Sequence, residues 1–239
     1  MIIKRLKKKI IAKGIDGCAW ITLKNLIGTF YQPDLVLSDI SILRSLPKKE
    51  MICGYAEILK HSLILNKKLF KWLLNNGSKI INRKNDSLMQ RAIYASCKIK
   101  AKIVTKDEKE NNLRAILNFG HTFAHAFETT SKFPKIINHG EAVLMGMICA
   151  LEFAYLNKLL KYQDLMIVKK HYRELNLRSD IKKFFKKKDI NKIIKYMKSD
   201  KKNFNENINL ILLKNIGNMP ILIDFPKNKL RNFLADKFR

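Results

Sequence analysis

Between Asp86 and Asp107 the apolar residues Leu88, Ala92, Ala95, Ile99 and Ile103 fall on one side of a helix, with polar and charged residues between them. That spacing of three and four predicts one long helix over 86–107. The segment before it starts at Ser45-Leu-Pro47-Lys-Lys-Glu50. Pro near the first turn and an acidic residue after it mark a helix start, and this helix runs to about Leu65. A shorter one covers Lys67–Asn75 and ends at Asn-Asn-Gly77, a C-cap signal. Arg114, Asn118, His121 and His125 recur at the helical period, opposed by apolar Leu113, Ile116, Leu117, Phe123 and Phe127. They predict a helix carrying a polar stripe, followed by a loop near Pro134. His139–Leu160 reads as helical, with Ala142, Gly146 and Ala150 at intervals of four, which let another backbone approach closely. Asp164–Leu175, Ile190–Met197 and Asn228–Lys237 also read as helices. Leu35-Val-Leu37 and Ile208–Leu213 are β-like, and residues 1–24 are basic and poorly patterned.

Composition supports this helical picture. The 239 residues include only nine Gly and five Pro, so short turns join most elements. A hydrophobic share of 47% is enough for a core. The four cysteines (Cys18, Cys53, Cys97, Cys149) have no C-x-x-C spacing. That argues against a disulfide framework or a thiolate zinc site and fits a reducing cytoplasm. No apolar run reaches the roughly 18 residues of a bilayer span. The basic start Met1–Lys9 leads into no secretory apolar segment. The reading is a cytoplasmic protein without a membrane partner.

The net charge of +28 raises nucleic acid as a partner. Most of the basic residues are Lys, however, and they spread over the whole chain. Aromatics interleaved for base stacking are not evident. Weak attraction to polyanions at low salt is expected, without specific nucleic-acid recognition. No G-x-G-x-x-G or Walker loop occurs, so no nucleotide-binding half is evident in this chain.

Candidate chemistry gathers around the stripe. His121 and His125 lie one turn apart on one face, and His139-Gly-Glu141 follows. Arg, Asn and His on one face suit a metal, an anionic substrate, or both. By spacing alone His121 and His125 are candidates to share a metal, and His139 adds to them. A carboxylate ligand would complete a site with an open position. Glu57, amid Tyr55, Ala56, Ile58 and Leu59, is the natural third ligand, because an inward carboxylate needs a cation or metal. Lys60 shares its face at i, i+3. Lys100, and Glu110 just before Arg114, could supply anion contacts and a carboxylate that orients a histidine. Lys24-Asn25-Leu-Ile-Gly28 and Asp200-Lys201-Lys202-Asn203 are further anion-clamp candidates.

Taken together, Lys-Asn-Leu-Ile-Gly-Thr-Phe-Tyr-Gln-Pro (24–33), Ser-Leu-Pro-x-x-Glu (45–50), Ala-Glu-Ile-Leu-Lys (56–60), Leu-Arg-Ala-Ile-Leu-Asn-Phe-Gly-His-Thr-Phe-x-His-Ala-Phe-Glu (113–128), His-Gly-Glu-Ala-Val-x-x-Gly-Met (139–147) and Asp-Lys-Lys-Asn (200–203) resemble the 3-dehydroquinate synthase family in order and spacing. Sister sugar-phosphate cyclases share part of the pattern. The resemblance implies a mainly α architecture, the helical C-terminal domain of that fold with a few short strands. Residues 1–24 would be a basic remnant of the interdomain junction, and 25–239 the metal- and substrate-binding domain.

It further implies a lyase of the shikimate pathway that uses NAD and Zn²⁺ or Co²⁺ and acts on 3-deoxy-D-arabino-heptulosonate 7-phosphate. A metal-polarised hydroxyl would lose hydride to NAD⁺, phosphate would leave by elimination, and the ring would open and reclose after hydride return. By motif, Glu57, His121 and His139 would bind the metal. His125 would handle protons with Glu110. Lys60, Lys100, Arg114, Asn118 and one of Lys201 or Lys202 would hold phosphate and carboxylate. Lys24 and Asn25 would contact cofactor or substrate, and Ile42, Leu43, Arg44 and Ser45 would lie near the nicotinamide cofactor. The family pattern is broken in three places. The Asp-x-x-x-Gly-Gly-Lys-Thr junction is unrecognisable around 11–18, Leu23 stands where Gly precedes Lys24, and Ala124 stands where Gly lies between the histidines. The expectations are a homodimer whose cofactor half is a separately encoded domain, or a non-catalytic basic remnant.

Overall fold

The computed structural model describes residues 38–108, 113–131, 137–198 and 207–239. Ile40–Arg239 forms one compact unit. A 3-10 turn at Ile40–Ser45 leads into α1 (Lys48–Leu65), α2 (Lys67–Ile81) and α3 (Asp86–Lys106). A second 3-10 turn, Leu113–Asn118, precedes α4 (His121–Thr130) and α5 (His139–Leu156). Then come α6 (Tyr162–Glu174), α7 (Ile190–Lys198), β1 (Asn207–Leu212), β2 (Ile221–Pro226) and α8 (Lys227–Lys237). The fold is mainly helical, as the apolar periodicity predicts. Lys24, Asn25, Leu35–Leu37, Glu110, Pro134 and Asp200–Asn203 lie outside the described residues.

Capping explains several boundaries. Asn66 and Asn85 accept from the backbone N–H groups of Leu69 and Leu88, which otherwise have no intrahelical partner. Asn138 and Glu141 form a reciprocal capping box at the start of α5. The core centres on α5, which packs against α1 and α4. Along it only a few residues are not buried. This helix corrects one expectation. By length and composition it could cross a membrane, with a mean hydropathy of 1.2 over 18 residues, but 78% of it is buried inside the domain. A helix surrounded by other helices is apolar all round for that reason.

Three further expectations change. The polar stripe does not lie on one helix. It breaks at Gly120, whose φ of 78° is a left-handed conformation open to glycine. Gly77 does not end α2 but is buried within it. A Cβ there would lie 2.4 Å from the Tyr55 hydroxyl and 2.9 Å from Leu175 Cδ1, so glycine serves close packing rather than capping. β1 has an unforeseen antiparallel partner in β2, with Leu210 opposite Ile223. The small-residue spacing on α5 does serve close approach. A Cβ on Gly146 would meet the Gly120 carbonyl oxygen at 2.2 Å.

Candidate metal centre

Glu57 lies midway along α1, its side chain 37% exposed. Its Oε2 accepts a hydrogen bond from Lys60 Nζ at 2.6 Å, one turn on. Burial alone would raise the Glu57 carboxyl, but the Lys60 ammonium outweighs it and holds the group below its usual range. Lys60 is the more deeply buried partner. Burial lowers its pKa, Glu57 opposes the shift, and the nearby charge of Lys100 adds to it. The two shifts point opposite ways, and the ionised pair is the state supported by the short contact. Glu57 Oε1, the other oxygen, is buried and has no hydrogen-bond partner among the described residues.

The first residue of α4, His121, faces that oxygen. Its Nε2 is 3.8 Å from Glu57 Oε1, too far for a hydrogen bond. His121 Nδ1 lies 3.2 Å from the Phe119 carbonyl oxygen. A carbonyl can only accept, so Nδ1 carries the proton and Nε2 a lone pair. Burial, aided by the Lys60 charge, pushes the His121 pKa down to about 3, so the ring is neutral at pH 7.

His139 opens α5 beside them, its ring centroid 5.6 Å from that of His121. Gly140 places it there. A Cβ on Gly140 would sit 2.3 Å from Cys53 Cα, so α5 starts hard against α1. His139 Nδ1 is 2.7 Å from Glu128 Oε1, leaving Nε2 as the free nitrogen. Glu57, His121 and His139 together offer three ligand atoms within 4.8 Å of one another. One carboxylate oxygen with no donor among the described residues and two imidazoles whose Nδ1 atoms are already engaged form the donor set of a divalent cation such as zinc. The residues present therefore fit a metal.

The structure redistributes the stripe. His125 stands one turn from His121, with centroids 5.5 Å apart, yet the three-ligand group does not include it. The pairing of His121 with His125 by spacing alone is replaced by partners from α1 and α5. Arg114 sits at the junction after α3. Its backbone N–H donates to Asp107 Oδ2 at 2.8 Å and its Nη1 to the Glu108 carbonyl at 3.0 Å. Asn118 ends the second 3-10 turn, three residues before His121 opens α4. The exposed Lys100 lies on α3.

Ile42, Leu43, Arg44 and Ser45 form most of the first 3-10 turn. Arg83 Nη1 donates to the carbonyls of Leu43, Arg44 and Leu46 at 3.3, 2.7 and 2.7 Å. Arg44 pairs with Asp86 at 2.7 Å, and Ser45 Oγ donates to the Ile42 carbonyl.

Two residues had no role assigned from sequence. Glu128 is one, although it stands seven residues after His121 and so on the same helical face. That spacing was the available signal. His61 is the other. It bonds Ser96 Oγ through Nδ1 at 2.7 Å, tying α1 to α3. Glu141 is not a ligand. Its carboxylate closes the α5 capping box and pairs with Arg178 at 3.0 Å.

Comparison with known proteins places this geometry. The sequence pattern described as "3-dehydroquinate synthase C-terminal" matches residues 54–203, and the one described as "3-dehydroquinate synthase N-terminal" matches 13–53. The 3-dehydroquinate synthase of Pelagibacter ubique (strain HTCC1062) is 52% identical over 211 residues, covering 88% of this chain and 57% of the relative. That of Dictyoglomus thermophilum is 40% identical over 200 residues, covering 83% and 54%. The chain thus spans little more than half the length of these relatives. Among solved structures, a 2-deoxy-scyllo-inosose synthase complexed with carbaglucose-6-phosphate, NAD⁺ and Co²⁺ superposes with a TM-score of 0.74 at 26% identity, over 90% of this chain and 59% of the other. A 2-epi-5-epi-valiolone synthase from Streptomyces hygroscopicus subsp. jinggangensis, with NAD⁺ and Zn²⁺ bound, shares the fold at TM-score 0.76 and 23% identity, over 90% and 58%.

Proposed function

Because this chain belongs to the 3-dehydroquinate synthase family, we propose that it supplies the metal- and anion-binding half of such an active site, converting 3-deoxy-D-arabino-heptulosonate 7-phosphate to 3-dehydroquinate and phosphate in the shikimate pathway. One observation carries the reading. Glu57 Oε1 and His121 Nε2 face each other at 3.8 Å with no proton to share, an arrangement a cation would stabilise.

Glu57, His121 and His139 would hold Zn²⁺ or Co²⁺. When bound, the ion supplies Lewis acidity at a substrate hydroxyl, and NAD⁺ supplies the hydride acceptor. Lys60 keeps Glu57 ionised and, with Lys100, Arg114, Asn118 and one of Lys201 or Lys202, brings positive and hydrogen-bonding groups to phosphate and carboxylate. His125, one turn from a metal ligand, would move protons with Glu110. Lys24, Asn25 and the 42–45 turn would contact the cofactor side. An NAD-binding domain would complete the site, in a cytoplasmic homodimer. The 52% identity to a 3-dehydroquinate synthase favours this over a sister cyclase activity, for which the solved relatives are 23–26% identical.

The test is a zinc titration of the chain, followed by an assay of phosphate release with NAD⁺, with and without the N-terminal half of the Pelagibacter relative added. Stoichiometric zinc binding that Glu57→Gln and His121→Ala abolish is the expected result, with release only in the mixture. Zinc binding unaffected by both substitutions would overturn the assignment.

A further inference from the structure

We propose that Glu128 is a positioning residue for His139, one that holds the ring with Nδ1 protonated so that Nε2 faces Glu57 and His121. The proposal rests on the metal-site reading of those three residues. Glu128 is buried on α4, its side chain 9% exposed, and its Oε1 lies 2.7 Å from His139 Nδ1. An ionised carboxylate has acceptor oxygens and no proton to give, so the imidazole is the donor in this pair. Donating Nδ1–H leaves the lone pair on Nε2, and the ring cannot turn without breaking a short, charge-assisted bond. The same helix therefore begins with one member of the site, His121, and seven residues later orients another.

The two histidines are set by different means. His121 donates to a neutral backbone carbonyl at 3.2 Å, whereas His139 donates to a carboxylate at 2.7 Å. A carbonyl two residues away on the chain comes with the local fold of the Phe119–Gly120 turn. His139 stands at the start of α5, after Asn138, and its bond partner comes instead from α4. A buried carboxylate is costly unless paired, so the position is specific to the job of receiving this proton. Outer partners of this kind raise the basicity of a ligating histidine and fix its tautomer.

The test compares the wild-type chain with Glu128→Ala and Glu128→Gln by two measurements. Zn²⁺ affinity is read by competition with a chromophoric chelator. The His139 tautomer is read in metal-free protein by long-range ¹H–¹⁵N correlation of the imidazole. Wild type should show the Nδ1-protonated form. Glu128→Ala should lose it and bind zinc about 10–100-fold more weakly. Glu128→Gln keeps an amide oxygen that can accept, so it should retain the tautomer and lose less than about tenfold. Wild-type zinc affinity in Glu128→Ala overturns the proposal, as does an Nε2-protonated His139 in the wild type. If wild type binds no zinc, the metal-site reading falls. The tautomer comparison then decides by itself whether Glu128 orients His139.

Discussion

Lys60 Nζ lies 2.6 Å from one oxygen of Glu57, while the other oxygen of the same carboxylate has no hydrogen-bond partner among the described residues. One side chain is thus half neutralised from within its own helix and half left for a ligand from outside. This split is what makes the site both foldable and receptive.

Replacing Lys60 by Met should therefore destabilise the metal-free protein. Breaking a fully buried pair costs about 3–5 kcal/mol. Because the Glu57 side chain is 37% exposed, solvent relieves part of that, and about 1–3 kcal/mol is expected. Saturating Zn²⁺ should stabilise Lys60→Met more than it stabilises wild type, since the ion then replaces the lost ammonium as compensating charge for Glu57. Urea denaturation with and without metal measures both quantities.

Gly146 and Gly54 should respond in opposite directions to alanine. A Cβ at 146 would lie 2.2 Å from the Gly120 carbonyl oxygen and 3.0 Å from Ala124 N. Backbone must shift, at a cost of about 1–3 kcal/mol. The shift falls on the residue before His121, so zinc affinity should drop as well. A Cβ at Gly54, on α1, would meet nothing within 4 Å. There, alanine should stabilise by up to about 1 kcal/mol through helix propensity. Paired denaturation curves and zinc titrations distinguish the two.

Stability should fall on mild acidification through His171. This ring is 1% exposed, bonds the Tyr55 hydroxyl through Nε2 at 2.7 Å, and has no partner at Nδ1 among the described residues. Burial pushes its pKa from 6.5 down to about 4, with Glu174 pulling weakly the other way. The unfolded chain takes up the proton first. The contribution is thus complete above about pH 6.5 and is lost as pH falls towards 4. A loss on the order of 1–3 kcal/mol between pH 7 and pH 4.5 is expected from this site. The Tyr55→Phe/His171→Leu pair, which removes the ring without stranding the hydroxyl, should flatten the slope. The other buried histidines, His61 and His121, also depressed by burial, contribute to what remains.

Arg83 holds the entry to the helical unit. It bonds three carbonyls of residues 43–46 from a left-handed backbone conformation, φ 55°. Arg83→Ala should cost about 1–2 kcal/mol and speed proteolysis within residues 40–46. Arg83→Gly loses the same bonds but relieves the strained backbone, so it should be about 1 kcal/mol less damaging than alanine. Equal proteolysis rates in wild type and both variants would show that the clasp is unimportant.

Much of this was legible in the chain itself. Apolar spacing located α3 because burial of one face is a local periodic property, while start signals marked α1 and small-residue spacing marked α5. The motifs carrying Glu57, His121 and His139 were readable because few residue types can serve as metal ligands. What periodicity could not show were the places where distant backbone intrudes. The left-handed Gly120 splits a run of perfect helical spacing, and Gly77 lies inside α2 because Tyr55 and His171 need its missing side chain. β2 escaped notice because Ile221-Leu-Ile reads as a short unbroken apolar run, and the alternation appears only in its burial.

A mainly helical chain of the 3-dehydroquinate synthase family and the residue types of a candidate metal site are readable from the residues alone. Which of those residues meet is set by tertiary packing. His121 and His125 are neighbours along one helix, yet His121's partners come from α1 and α5. Glu128 acquires its role by reaching a ring on the next helix. Spacing reports which side chains share a face, whereas coordination requires lone pairs from separate elements to converge, and that convergence is made by packing.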